Sequence, residues 1–215
     1  SKSLIVEGAA TISTGVAIAG GTLQAGVVLI NAGGNIHGFG TVSTAPFAAL
    51  INNGQILGTS AAQRITLPGK VTGVGTFDHV TFTGTFLPGV SSTSSAVGSI
   101  AFSPTSTLVM EIGGTSPGSQ HDQIVASGQL GFDGNMQVAL INGFAPSLGQ
   151  SFNLFDWNTS SGTFDALSLP SLAGSLAWDT SQLYATGVIS VAEVTSDFDG
   201  DGAVNGAITV EVTSN

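Results

Sequence analysis

The run Asp197-Phe-Asp-Gly-Asp-Gly-Ala-Val-Asn205 gathers three of the chain's thirteen acidic residues into five positions, in a sequence with three Lys/Arg. Asp197, Asp199 and Asp201 alternate, Gly202 follows, and Asn205 comes three residues later. This is the spacing of the first part of an EF-hand-type Ca²⁺ loop. The three carboxylates supply hard oxygens at positions 1, 3 and 5, and Gly202 permits the sharp turn. The backbone carbonyl of Ala203 falls at position 7, and Asn205 falls at position 9. Three like charges this close repel one another unless a cation sits among them. The motif therefore predicts calcium, and a calcium-rich compartment outside the cell. The competing reading is a solvated acidic turn, since Asp-Gly steps are ordinary turn chemistry. Position 12 is Ile208, not a bidentate acid, so the expected affinity is weak, on the order of 10⁻⁴ to 10⁻³ M. Glu211 completes the shell if the chain folds back.

Elsewhere the reactive residue types are scattered. His37, His79 and His121 recur at equal spacing. Stacked on every second coil of a solenoid, they would still stand about 10 Å apart, too far to share one metal. They are expected to be exposed or turn histidines. Asp78-His79 has the makings of an acid–base pair, but neighbours on a strand point to opposite faces. His121-Asp122 follows Pro117-Gly-Ser and is expected to serve a turn. No Gly-x-Ser-x-Gly elbow singles out a serine nucleophile. Acting on a polysaccharide would need clustered acids beside Arg or Lys, whereas the acids are dispersed and Arg64 is the only arginine. Trp157, Trp178 and Tyr184 are read as core of a terminal β unit, with a sugar-stacking platform as the alternative. Asn158-Thr-Ser160 fits a glycosylation sequon and carries little weight. The chain is read as a non-enzyme.

Composition narrows the class further. The 215 residues carry a net charge of −10, with 7% charged residues and 31 glycines. That glycine content is roughly twice the usual share of about 7%. A mean hydropathy of +0.41 with so little charge opposes disorder. No apolar run approaches the roughly 20 residues that span a bilayer, so membrane insertion is not expected. After Lys70 there is no Lys or Arg, which leaves nothing to neutralise phosphates and excludes nucleic acid as a partner. There is no cysteine, hence no disulfide and no thiolate metal site. The start at Ser1-Lys2, without Met, is read as a mature or excised product whose targeting segment has gone.

The elements that must carry these residues are short strands. Bursts such as Leu4-Ile-Val6, Val27-Val-Leu-Ile30, Gln55-Ile-Leu57, Val80-Thr-Phe82 and Leu108-Val-Met-Glu-Ile112 alternate with Gly, Asn and Ser, and helical periodicity is nearly absent. Ile30-Asn-Ala-Gly-Gly-Asn-Ile-His-Gly38 is echoed by Ile51-Asn-Asn-Gly-Gln-Ile-Leu-Gly58 one period of about 20 residues later. This predicts an all-β fold, a parallel β-helix (β-solenoid) with a compact β terminal unit; the alternative is a β-sandwich. Residues 1–90 are assigned to solenoid coils. Residues 91–192 form a terminal unit that continues or caps them, and 193–215 form the calcium loop and a last strand. No capping helix is expected at either end.

The phrases Leu108-Val-Met-Glu-Ile-Gly-Gly-Thr-Ser-Pro-Gly-Ser-Gln-His-Asp-Gln-Ile124, Val138-Ala-Leu-Ile-Asn-Gly-Phe144, Gly149-Gln-Ser-Phe-Asn-Leu154, Gly162-Thr-Phe164 and Leu176-Ala-Trp-Asp-Thr-Ser-Gln-Leu-Tyr184 follow in order. Over roughly residues 70–192 this series resembles the autotransporter-like β-helix ends of large bacterial surface proteins, including those with PEP-CTERM sorting tails. The resemblance implies a secreted or cell-surface β-solenoid and brings no catalytic residues with it. The acidic loop resembles the first half of a type I dockerin repeat. It departs from that pattern at Ile208, and Ile208-Thr-Val-Glu-Val-Thr213 alternates like a strand.

The functional expectation is an extracellular or cell-surface structural protein. It would assemble with copies of itself into filaments or a surface layer through head-to-tail β contacts. A carbohydrate-binding or adhesive module, with cell-surface polysaccharide as partner, is the alternative.

Overall fold

The computed structural model describes residues 2–89 and 92–194. Its described residues form twenty strands and one short helix, α1, Leu183–Thr186. Seventeen of the strands join a single parallel sheet. The fold is therefore all-β, and the sheet is solenoid-like.

The pairings resolve into three ladders. In the first, residues 15–19 pair with 35–39, and 35–38 with Gln55–Gly58. Thr76–Asp78, Ser94–Val97, residues 123–126 and residues 155–157 follow. The second begins at residues 3–6 and reaches 159–162 through Ile65–Leu67, Val80–Phe82 and Ile100–Phe102. The third begins at residues 9–12 and ends at Ala166–Ser168. The chain visits the three ladders in turn, one strand segment each, and then starts again.

The alternation expected for half-buried strands places one apolar residue over the next. In the third ladder Val28, Leu50, Val71, Phe86, Leu108 and Met136 lie in one register line, each 0–2% exposed. Phenylalanines fill the middle rungs. Phe82 and Phe86 stack with ring centroids 4.2 Å apart, and Phe77 meets both edge-on. Such contacts add about 0.5–1.5 kcal/mol each beyond the area they bury.

The repeat read from the sequence is real in one place and slipped in another. Ile36 pairs with Ile56 and Gly38 with Gly58, as the two phrases imply. At the preceding corner Ile30 pairs with Asn52, and it is Leu29 that pairs with Ile51. Asn52 therefore occupies a fully buried position in line with aliphatic side chains. It is satisfied there, because its amide donates to the Thr76 carbonyl at 3.1 Å and its oxygen accepts from the Gly54 N–H at 3.1 Å.

The spacing is also less regular than the expected period. Early rungs advance by 18 to 22 residues (Ala9 to Val27, Val28 to Leu50), with one step of 25 from Gly40 to Ile65. The next step shortens to 15, from Ile65 to Val80 and from Val71 to Phe86. Later rungs take 28 to 31, as from Thr107 to Asn135 and Ile124 to Phe155. The extra residues leave the ladders as excursions, notably 113–122 and 141–154.

A second sheet of three antiparallel strands joins Ser151–Asn153 and Leu176–Asp179 to Val188–Glu193. The helix α1 lies just before the last of these and packs against Phe155–Gly162 and Val188–Glu193. It ends at Gly187, whose φ of 77° closes the helix in the left-handed conformation that glycine adopts without strain. A Cβ there would strike the Phe155 carbonyl.

Candidate functional site

The predicted calcium ligands Asp197, Asp199, Asp201, Ala203 and Asn205, and the strand expected at 208–212, lie outside the described residues. Among the described residues no group of three His, Asp or Glu side chains is placed to hold a metal ion. None of their helices is long and apolar enough to cross a membrane.

Of the two acid–histidine pairs, one meets against expectation and the other serves a turn as expected, but buried. Asp78 and His79 do meet, with Nδ1 of His79 3.0 Å from Oδ1 of Asp78. The alternation rule fails here because His79 is not on a strand. It sits at the corner between two ladders with φ of 47°. The same carboxylate oxygen also accepts from the backbone N–H of His79 at 2.9 Å and of Ser99 at 2.7 Å. Ser99 turns its hydroxyl to the Gln129 N–H instead, so the group contains no nucleophile aimed at the imidazole. Nearby, Arg64 donates to the carbonyls of Ala61 and Val80. Burial lowers its pKa, and the charge of Asp78 pulls it back up. The cluster binds corners of consecutive rungs together.

His121 is fully buried, not exposed, and its backbone closes the expected turn, accepting from the Gly118 N–H at 2.8 Å and donating to the Ser116 carbonyl at 3.2 Å. Nδ1 lies 3.1 Å from the Gly114 carbonyl and Nε2 3.2 Å from the Asn153 carbonyl. Burial pulls its pKa down, and the two carbonyls oppose that shift. The side chain joins the 113–122 excursion to Ser151–Asn153. Asp122 is also buried and accepts backbone N–H bonds from Thr93 at 2.9 Å and Glu111 at 2.8 Å. Desolvation outweighs those bonds and raises its pKa to about 7. Both residues anchor an excursion to the sheet, and neither faces a cleft.

Trp157, Trp178 and Tyr184 are partly buried against the core. Trp178 Nε1 donates to the Pro170 carbonyl at 2.8 Å, and the Tyr184 hydroxyl accepts from the Phe164 N–H at 2.9 Å. Trp157 and Tyr184 meet Phe132 edge-on at 5.7 and 5.5 Å. Their faces are used in packing, as the core reading expected.

The ends of the parallel sheet are the most distinctive surfaces. At the N-terminal end, among the described residues, Ser3–Ile12 pairs on one side only, with Gly15–Ile30. Leu4 and Val6 stand in register with the buried Leu23 and Ala25. Yet Leu4 is 60% exposed, and its neighbour Ile5 is 66% exposed. At the other end the apolar positions Leu130 and Phe132 are followed in register by Ser160 and Gly162. There, Leu183 of α1 is fully buried and Tyr184 lies over Phe132 and Phe164. The carbonyl of Gly187 accepts from the N–H groups of Leu154 and Phe155. A short helix thus covers the C-terminal end, contrary to the expectation of none. Four residues are too few to leave a periodic signal, although Gly187 marks where the helix stops.

No family model matches the chain, and no curated protein or solved structure matches it.

Proposed function

We propose that this chain is a non-enzymatic extracellular structural protein, a parallel β-helix with a compact β terminal unit that joins copies of itself head to tail. The observation that carries the reading is the N-terminal rung, apolar in its interior positions and, among the described residues, unpaired along one edge. Repeat folds need terminal repeats with a polar outer face to stay soluble alone, and open strand edges pair with other chains. Burying Leu4 and the half-buried Val6 under an added strand contributes about 1.5–3 kcal/mol for a side chain fully covered.

The donor in this reading is the alternating segment 208–212, added by strand augmentation to the edge of the next subunit. Charge supports the pairing. Residues 1–77 hold all three Lys/Arg and a single carboxylate, Glu7, whereas 193–215 hold five acids and no cation. The covered C-terminal end of the sheet favours a donated strand over coil-on-coil stacking. A contact of this kind that does not close on itself generates a filament. Calcium held by Asp197, Asp199, Asp201, Asn205 and the Ala203 carbonyl would orient the donated strand. The resemblance to autotransporter-like and PEP-CTERM surface proteins points to the same cellular place.

Electron microscopy and sedimentation in calcium and in chelator test the reading. Wild-type protein is expected to form calcium-dependent polymers that are lost on deletion of residues 207–215 and weakened by Asp199→Ala. A strictly monomeric wild type, or polymers untouched by the deletion, would overturn it.

A further inference from the structure

A groove of about 660 Å³ runs along the corner where the second ladder passes to the third. It crosses four consecutive rungs through Gln24, Ser43, Thr44, Lys70 and Thr85. At the strand spacing, four rungs span about 14 Å. That length suits an extended chain lying along the corner.

Phe47 stands at its edge and is the anomaly of this surface. It is 107% exposed, with φ of 66°. The turn Ala45-Pro-Phe-Ala48 is closed by the Ala48 N–H donating to the Ala45 carbonyl at 3.1 Å. The Thr44 hydroxyl fixes it further by donating to the Ala48 carbonyl at 3.1 Å. Proline second and a positive φ third is the type II pattern, whose third position calls for glycine. The chain has 31 glycines but places phenylalanine here. The conformation is strained for a residue with a side chain, and a wholly exposed phenyl ring forgoes the gain of burial. Among the described residues nothing covers the ring. An aromatic ring held rigid and bare beside a polar groove is a stacking platform.

The groove is also built from the stretch of sequence poorest in acid. No carboxylate side chain occurs between Glu7 and Asp78. The groove lining includes Lys70, which is exposed, and no acid. Arg64 is already engaged by the Ala61 and Val80 carbonyls. In a chain of net charge −10, a lone cation within a hydroxyl- and amide-lined groove selects a negatively charged occupant.

We propose that this corner binds an acidic polysaccharide, with a sugar face on Phe47, a uronate carboxylate on Lys70, and hydroxyls on Gln24, Ser43 and Thr85. The proposal does not rest on the assembly reading, because the groove lies on the flank of the sheet and not at its ends.

Calorimetry and affinity electrophoresis with polygalacturonate, at low and raised salt, test it against fully methyl-esterified polygalacturonate. Wild type is expected to bind the acidic polymer, more weakly as salt rises, and to prefer it over the ester. Phe47→Gly suits the turn, so it is expected to fold with undiminished thermal stability and unchanged sedimentation. Its affinity should fall about tenfold, the equivalent of one well-placed aromatic contact. Lys70→Gln should remove the preference for the acidic polymer and the salt dependence. Absence of wild-type binding, or wild-type affinity in Phe47→Gly, would overturn the site. Equal binding of acid and ester would overturn its charge selectivity.

Discussion

The two ends of the parallel sheet are built from the same strand geometry and finished in opposite ways. At the N-terminal end the interior line continues through Leu4 and Val6 to the last rung, where, among the described residues, nothing covers Leu4 and Val6 is half-buried. At the C-terminal end the interior line changes to Ser160 and Gly162, and Leu183 and Tyr184 close what remains apolar. Both ends have one-sided strands. Only one of them has apolar side chains waiting behind its unpaired backbone. Backbone exposure alone therefore does not define an assembly surface, because an edge becomes sticky when its inward side chains also lack a neighbour. The molecule has a direction, and its charge follows that direction, cations early and acids late.

The contrast breaks most sharply at Leu183. Leu183→Ala should destabilise the monomer by about 2–5 kcal/mol, the cost of emptying a closed core position, as read by urea unfolding. A shift below 1 kcal/mol would mean that the C-terminal cover contributes little.

The next largest effect is pH-dependent and concerns the excursions near that covered end. Asp122, raised from 3.8 to about 7 by burial, contributes stability that is fully present below about pH 4. That contribution is lost as pH climbs to about 7, since folding must then bury a charge. Asp122→Asn removes the titration. The stability of the wild type relative to this variant should decline from pH 4 to pH 7, by about 2–4 kcal/mol, and stay level above. The lowered pKa of His121 acts with the opposite sign, but it is common to both proteins and cancels in the difference. Parallel pH profiles would reject the assignment.

A smaller change tests the hydroxyl that completes the cover. Tyr184→Phe leaves the Phe164 N–H without its acceptor and should cost about 1–2 kcal/mol in thermal or chemical unfolding. The smallest effect on the monomer is the most informative about assembly. Leu4→Ser should move monomer stability by no more than about 0.5 kcal/mol, as for an exposed site. In the proposed function it abolishes polymerisation, which light scattering will read directly.

What the sequence disclosed was whatever depends on near neighbours. Short β-branched bursts between glycines announced an all-β chain, and the Ile36/Ile56 and Gly38/Gly58 matches are true pairings. The features that escaped depend on distant segments or on a single dihedral. Asp78 and His79 meet only because a positive φ at His79 breaks the strand alternation. The buried His121 bonds to the carbonyl of Asn153, thirty-two residues on, which no local pattern announces. The one-residue slip that buries Asn52 arises because its corner is shorter than the corner before it. The turn at Phe47 has the sequence of an ordinary loop, and only its φ and exposure set it apart.

The unequal rungs carry one more lesson, about shape. A rung adds about 4.8 Å to the height of a ladder whatever chain it consumes. The step from Ile65 to Val80 gains that height with 15 residues, and the step from Ile124 to Phe155 with 31. Residues added at a corner increase girth and leave height unchanged. The excursion at 141–154, which lies within that longer step, is accordingly a place where the molecule grows sideways while the ladder beneath keeps count.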